Sequence, residues 1–455
     1  MVLSRVRTFS IRSKLNDIVD FVLNLVWYNK TRFKLFLLAL IVYSVSIAHY
    51  YAPDESSYWL LTVSITDYHS LYIDQAMITY TPWKLDSKMG VGYYDGHYYS
   101  TLPPGLSFIA IPFFLIGKGM WNVLIFFGIS MSYITITYIP MAMLSSISAA
   151  FTITLFHKLL NELEFSDNSA LLTSITLAFG TISWVYAKTF YAQSLSMLLN
   201  FFGLYLVILA TKYEKTNRFF LAGIVIGIAT TVRVSNIFLV IPVLIYLALK
   251  SQRINAFIFF IFGTLPAVFL LLLYNYICFD NPFITGYYYD LIYDYTSISS
   301  TFSTNPLFGI YGLLFSPGRG LFVYSPVLVL SIPGFYYFLK SDKEEAILFI
   351  ASFLVILSFY STYTWWHGGL SFGPRFLTDI LPSFVLPLGK TLEKFSSNKY
   401  FWILFYLLLG FSIFTQTIGA LTSPLADIQE YALPRKIDEL TRNGPDILIY
   451  NLIKN

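Results

Sequence analysis

The sequence predicts an all-α protein that crosses a membrane many times. Three observations carry this. Of 455 residues, 56% are hydrophobic and only 12% are charged, against about 25% charged in a soluble domain. Mean hydropathy is +0.64. Apolar runs of roughly 20 residues, enough to span a bilayer as a helix, recur along most of the length.

Residues 1–32 form a basic N-terminal segment that includes Arg5, Arg7, Arg12, Lys14, Lys30 and Arg32. No small-residue cleavage site follows a short apolar core there, so no cleavable signal is expected. Residues 15–28 read either as an interfacial amphipathic helix or as a disordered tail. A membrane domain is expected over 33–420. Its first span is 33–52, followed directly by Asp54-Glu55. Further spans are read at 169–186, 189–211, 218–232, 234–249, 255–277, 323–340, 346–361, 377–391 and 400–420.

Basic residues set the orientation. The N-terminus, Lys158, Lys212/Lys215/Arg218, Lys250/Arg253, Lys340/Lys343 and Lys390/Lys394/Lys399 can all lie on one side, which the positive-inside rule makes cytoplasmic. Residues 104–157 must then cross an odd number of times. They cross once, near 137–157 with juxtamembrane helices over 104–130, or three times. The total is 11 or 13 spans, and 13 is the preferred reading.

Three segments fall outside: 53–103, 278–322 and 362–376, and the short tail 421–455 is expected outside too. They hold most of the loop Gly, Pro, Asp and Trp, so chemistry is expected on the extracytoplasmic face of a cell membrane. The chain has 36 Tyr, and those in the loops point to a lined cavity beyond an aromatic belt.

Several classes are excluded. A single cysteine, Cys278, rules out an intrachain disulfide and a Cys-cluster metal site. No basic stripe or motif points to nucleic acid. No Gly-x-Ser-x-Gly, His-Glu-x-x-His or phosphate-cradling Gly-Lys-Ser/Thr loop is present, so a soluble nucleotide-sugar site is not suggested.

Asp54 and Glu55 are the first candidate catalytic residues. Charge at a bilayer edge costs free energy unless it is solvated or used. A carboxylate walled by aromatics can act as a base. The bland reading is that the pair caps the helix that follows. Asp95 and His97 are available as further ligands for a divalent cation, but their spacing matches no metal signature, so a cation is not favoured and no cofactor is assigned.

Arg233, Arg319 and Arg375 stand against the positive-inside bias at outer boundaries. Each lies beside Gly, Pro or Ser, and the planar guanidinium fork suits phosphate. The bland reading pairs each with a carboxylate such as Asp54, Asp290 or Asp379. Lys84 and Lys88 either assist or are simply solvated. His367 and Trp366, in Trp365-Trp366-His367-Gly368-Gly369, suit a sugar ring or an interfacial anchor. Asp95, Tyr98 and Tyr99, ahead of Pro103-Pro104-Gly105, close a cavity or order the loop. Gln193 reads as a helix-packing residue.

Taken in order, these landmarks resemble the membrane glycosyltransferases of GT-C architecture, especially the family 39 and family 83 type. That type includes protein O-mannosyltransferases and aminoarabinose transferases. The resemblance runs over 33–391. It rests on Asp54-Glu55, Asp95-Gly96-His97-Tyr98-Tyr99, Pro103-Pro104-Gly105, 180–186, Arg233 to Asn236, Ser316 to Arg319, and Trp366 to Arg375. It implies a polyprenyl-phosphate-linked sugar donor, a lipid, glycan or protein acceptor, membrane lipids around the chain, and inversion at the anomeric carbon. Asp54 would be the base and Glu55 its orienting neighbour. Arg375 and Arg319 would hold the donor phosphate. Two alternatives remain: a flippase or transporter for lipid-linked glycan, and a non-catalytic glycan-binding subunit.

Overall fold

The computed structural model describes residues 25–26, 29–47, 53–80, 90–251, 253–369 and 371–422. Lys84, Lys88, most of 15–28 and nearly all of the tail 421–455 lie outside the described residues.

Helices dominate because each one satisfies its own backbone polar groups, which lipid cannot do. By length and composition, six described helices can cross a membrane: Gly105–Phe126, Tyr133–Glu162, Ala192–Lys212, Ile254–Phe279, Lys343–Thr362 and Lys399–Leu421. Thr216–Val232 is apolar but shorter. The chain is a multi-pass membrane protein.

Several expected spans are observed as broken helices. The first span is observed as Lys30–Val45, with 48–52 outside the described residues. Span 169–186 breaks at Gly180 into Asp167–Phe179 and Ser183–Ala187. There the Thr181 and Ser183 hydroxyls both donate to the Leu177 carbonyl, at 2.6 and 2.5 Å, in place of the backbone donors that would continue the helix. Span 234–249 begins as a 3₁₀ turn, Val234–Leu239. Span 323–340 is split at Pro326 and span 377–391 at Pro382 and Pro387, where proline supplies no amide donor.

Residues 104–157 hold two helices, so the preferred three crossings do not occur. Gly105–Phe126 packs chiefly against Tyr133–Glu162 and also touches the helix Pro53–Asp67. The Ser107 hydroxyl donates to the Tyr58 carbonyl (3.0 Å), and the Lys118 ammonium meets Asp67 (2.8 Å). Tyr133, opening the next helix, donates to the same Asp67 at 2.8 Å. The outer face of Gly105–Phe126 is apolar and exposed, as at Phe126, 83% exposed, and suits contact with lipid.

The bundle has two chemically distinct ends. Helices Tyr133–Glu162, Ala192–Lys212, Thr216–Val232 and Lys343–Thr362 each place a basic residue near one end: Lys158, Lys212, Arg218 and Lys343. Their opposite ends carry Tyr138, Gln193, Arg233 and Tyr360. At this second end lies the described β structure. Strands β1 (Val91–Tyr94) and β2 (His97–Ser100) pair antiparallel, Tyr94 opposite His97. Asp95 and Gly96, at φ +45° and +83°, form the two-residue turn between them.

Helices Thr216–Val232 and Ile254–Phe279 approach closely through Gly223, Gly227 and Gly263. A Cβ on Gly223 would collide with the Phe260 carbonyl, and one on Gly263 with that of Phe220. Small residues spaced by four on one helix let backbones meet in lipid. Gly223→Val should push these helices apart and destabilise the protein by about 1–3 kcal/mol, the cost of overpacking. A lowered melting midpoint in detergent checks this; an unchanged midpoint would show that the contact is not needed.

Candidate active site

The helix Pro53–Asp67 carries Asp54 and Glu55 in its first turn, and the two side chains diverge. Glu55 is fully buried. Its Oε1 accepts from the Tyr138 hydroxyl (2.7 Å) and from the Phe190 backbone N–H (2.9 Å). Those bonds tie the helix start to two other segments. Asp54, one residue earlier, is thereby aimed into a cavity of about 320 Å³, to whose lining it contributes.

Asp54 Oδ2 meets the Arg375 guanidinium at 2.8 Å. The partners are 321 residues apart in sequence. The loop before Arg375 makes the meeting possible. Gly368 adopts φ +74°, and a Cβ there would press on Arg375 at 2.9 Å. The guanidinium lies over the rings of Tyr191 (5.6 Å) and Phe376 (5.0 Å). Burial works to lower its pKa, but Asp54, Tyr191 and other nearby tyrosines raise it above the usual arginine value, so it stays charged.

A second ion pair stands beside the first. Arg233, the C-cap residue of Thr216–Val232, contacts Asp379 Oδ2 at 2.9 Å. A cation at a helix C-terminus is also favoured by the helix dipole. Arg233 lies over the faces of Tyr360 (5.5 Å) and Phe376 (5.3 Å), and donates to the Tyr360 hydroxyl. Asn236 holds the turn below, donating to Ser196 Oγ and to the Ala229 carbonyl, each at 2.8 Å.

Asp54, Arg233 and Arg375 all line the cavity, together with seven tyrosines: Tyr58, Tyr191, Tyr287, Tyr288, Tyr295, Tyr360 and Tyr363. The hairpin holds one wall. Gly92 bridges Asp290, and the Leu291 N–H donates to the Val91 carbonyl at 3.1 Å, which fixes the segment carrying Tyr287 and Tyr288. Fixed cations, one carboxylate and aromatic faces in one apolar-walled cavity suit an anionic ligand with a ring to stack.

The other candidates fall outside this lining. Glu55 is held by its two donors and acts on the site through position. Arg319 donates to the carbonyls of Gly318 (3.1 Å) and Gly369 (2.7 Å), bracing the loop that leads to Arg375. Trp366 packs over Gly312, and His367 accepts from the Gly369 N–H at 3.1 Å. Asp95 is the exposed hairpin turn. His97 Nδ1 lies 2.6 Å from Asp74 Oδ2, with the imidazole stacked on Tyr72. Tyr99 is buried against Phe279, in the cluster that also takes Cys278. Asp95 and His97 are thus placed in the hairpin rather than beside Asp54. Among the described residues no three His, Cys, Asp or Glu side chains form a metal-binding group. Asp290 accepts from the N–H groups of Ile292 and Tyr293 rather than from an arginine.

Sequence reasoning assigned Gln193 to helix packing, whereas it lines the cavity, and it did not single out the particular tyrosines. The excess of loop tyrosine was the available signal, without indication of which ones converge. Asp379 was visible only as one of three carboxylates that could meet an arginine.

These features define an all-α polytopic membrane protein. Among solved structures, the chain is similar to ArnT from Cupriavidus metallidurans bound to undecaprenyl phosphate, with a TM-score of 0.53 at 13% sequence identity, covering 82% of this chain and 62% of that one. Against the apo form of the same protein the TM-score is 0.47, also at 13% identity, covering 86% of this chain and 62% of that one. The chain thus spans less than two thirds of the length of ArnT. No family model and no curated protein sequence matches it. The likeness establishes the fold.

His367 offers a test of the loop. Burial, aided by Arg319 and Arg375, pushes its pKa from 6.5 down to about 3. The unfolded chain therefore binds the extra proton between those values, and His367 contributes stability above pH 6.5 that is lost as pH falls toward 3. Melting midpoints of His367→Gln should fall less than those of wild type between pH 7 and pH 4. Parallel losses would place the acid sensitivity elsewhere.

Proposed function

We propose that this chain is a membrane glycosyltransferase that moves a sugar from a polyprenyl-phosphate donor to an acceptor hydroxyl by a single inverting displacement. The observation that carries the reading is the cavity itself: one carboxylate and two arginines, remote in sequence, converge in it. Its fold is that of a protein whose structure holds undecaprenyl phosphate.

Asp54 is the base. The acceptor oxygen attacks the anomeric carbon, and its proton passes to the Asp54 carboxylate. The bond from that carbon to the phosphate oxygen breaks, and the phosphate leaves with the electron pair. Arg375 stabilises the growing negative charge, supported by Arg233. Before donor binds, the Asp54 carboxylate is held by the Arg375 guanidinium at 2.8 Å. A donor phosphate competing for Arg375 loosens that contact and frees the Asp54 carboxylate to face the acceptor. Glu55 is a positioning residue.

The active site faces away from the cytoplasm. The basic helix ends lie opposite the cavity, and basic loops mark the cytoplasmic side. The acceptor is a lipid, a glycan or a protein.

Purified protein in nanodiscs, offered radiolabelled undecaprenyl-phosphate sugars and a membrane extract, tests this. Asp54→Asn should lower transfer by about 10²–10⁴-fold, the usual contribution of a general base, with undecaprenyl phosphate still bound. Glu55→Gln keeps an acceptor for Tyr138 and Phe190 and should lose far less. Full activity in Asp54→Asn, or no donor bound by wild type, would sink the reading, and glycan flipping would be measured next.

A further inference from the structure

The end of the bundle opposite the cavity holds a group of cations that the proposed reaction does not use. Several cations at that end are matched: Lys250 by Glu344 and Glu345, Arg253 by Glu214, and Lys390 by Asp342. Others, such as Lys343 and Lys399, are exposed. Arg32, Lys158 and Arg218 are neither. They come from three helices, Lys30–Val45, Tyr133–Glu162 and Thr216–Val232, and the charges of both arginines act on Lys158. The carboxylate that acts on Lys158 and on Arg32 is Glu162. Its Oε1 already accepts from the Tyr205 hydroxyl at 2.9 Å and lies 3.9 Å from the Lys158 ammonium. Three cations against one carboxylate leave an excess of two positive charges.

The two arginines are turned toward the protein. Arg32 shares a helix face with the buried Leu35, Ala39 and Tyr43, and Arg218 with the buried Ala222, Val225 and Ala229. Both are half-buried. Arg32 Nε and Nη1 and Arg218 Nη1 are shielded from water and have no hydrogen-bond partner among the described residues. The other guanidinium nitrogens, Arg32 Nη2 and Arg218 Nε and Nη2, are not shielded in this way and form the open edge of the group. Each arginine also stands in the first turn of its helix, where the dipole opposes a cation, and neither first turn carries an acidic residue. Buried donors normally have acceptors. One kind of ligand relieves the repulsion, the dipole and the unmet donors together: an anion that accepts from guanidinium forks, as phosphate does.

Depth in the membrane identifies what carries the phosphate. Arg32 and Arg218 open helices that run into the bilayer, and Lys158 lies near the end of another, so all three stand at headgroup level. Phe220 and Leu221, 37% and 43% exposed, follow Arg218 directly and offer an apolar surface to an acyl chain. Basic pockets between membrane helices at this level suit anionic headgroups. We infer that Arg32, Lys158 and Arg218 form a binding site for the phosphate of an anionic phospholipid, which bridges three helices at the end remote from the cavity. The inference does not rest on the glycosyltransferase reading.

The test uses the full chain, stripped of lipid in detergent, as wild type, Arg32→Gln/Arg218→Gln and a control, Lys343→Gln/Lys399→Gln, which removes two exposed cations from the same end. Phosphatidylglycerol, phosphatidylcholine, undecaprenyl phosphate and inorganic phosphate are titrated in turn. Bound lipid is counted by native mass spectrometry, and melting midpoints are read alongside. Wild type and the control should bind phosphatidylglycerol and melt higher with it, and should not respond to phosphatidylcholine or inorganic phosphate. The arginine variant should bind phosphatidylglycerol about 10–30-fold more weakly and keep its affinity for undecaprenyl phosphate. Arg218→Gln alone, with a loss of about 5-fold, serves if the double variant does not fold. Equal phosphatidylglycerol binding in wild type and the arginine variants overturns the inference. An equal loss in the lysine control also overturns it, because net charge alone would then explain the attraction. A shift with inorganic phosphate as large as with phosphatidylglycerol overturns the assignment to a lipid. Loss of undecaprenyl phosphate in the arginine variants overturns it as well, because the group would then serve the donor. If wild type binds phosphatidylglycerol at this site but no undecaprenyl phosphate, the glycosyltransferase reading fails and this inference stands.

Discussion

The ion pair between Asp54 and Arg375 is the contact on which the site depends. It joins the start of the helix Pro53–Asp67 to a loop 321 residues later, across an apolar-walled cavity. Neither charge could be held there alone. An unpaired buried ion costs several kcal/mol. Glu55 pins the helix start through Tyr138 and Phe190, and Gly368 leaves the guanidinium room to lie beneath the loop. Arg319 braces that same loop through the Gly369 carbonyl. Residues that look like chemistry in sequence thus serve the geometry of two that can perform it.

The second pair, Arg233 with Asp379, repeats the solution one ring away. Phe376 is shared: both guanidiniums lie against it. Aromatic faces attract cations and exclude water, so they raise the strength of each ion pair while they shape the cavity. The arrangement is nearly neutral as a whole. An incoming phosphate therefore does not find bare positive charge. In the proposed mechanism it exchanges with a carboxylate already present, so that ligand binding and release of the base would be one event.

The membrane sets the outer limits of this design. Basic residues gather at one end of the helices, and the aromatic, acidic and glycine-rich segments gather at the other. Close helix contact through Gly223 and Gly263 holds Thr216–Val232 against its neighbour, and so holds Arg233 at the cavity rim. Packing of the bundle and placement of the site are the same problem solved at two depths.

Much of the fold was legible in composition. Hydrophobic length and charge asymmetry report directly on the transfer of residues to lipid, which depends on local sequence alone. They located the helical segments, the break after the first span, and the loops that carry Asp54, Arg233 and Arg375. They failed where packing decides. Residues 104–157 form two helices where three crossings were preferred, and the 169–186 span breaks where Thr181 and Ser183 compete for a carbonyl. The same division holds in the site. Residue type and position nominated Asp54 and the arginines. They equally nominated Asp95, His97 and Tyr99, which the fold uses to build a hairpin, and they gave Gln193, which lines the cavity, a packing role. The sequence by itself determined which segments enter the membrane and where charge is unusual for its depth. Only the tertiary structure decided which of those charges meet, because pairing across 321 residues depends on how helices pack and no local pattern records it.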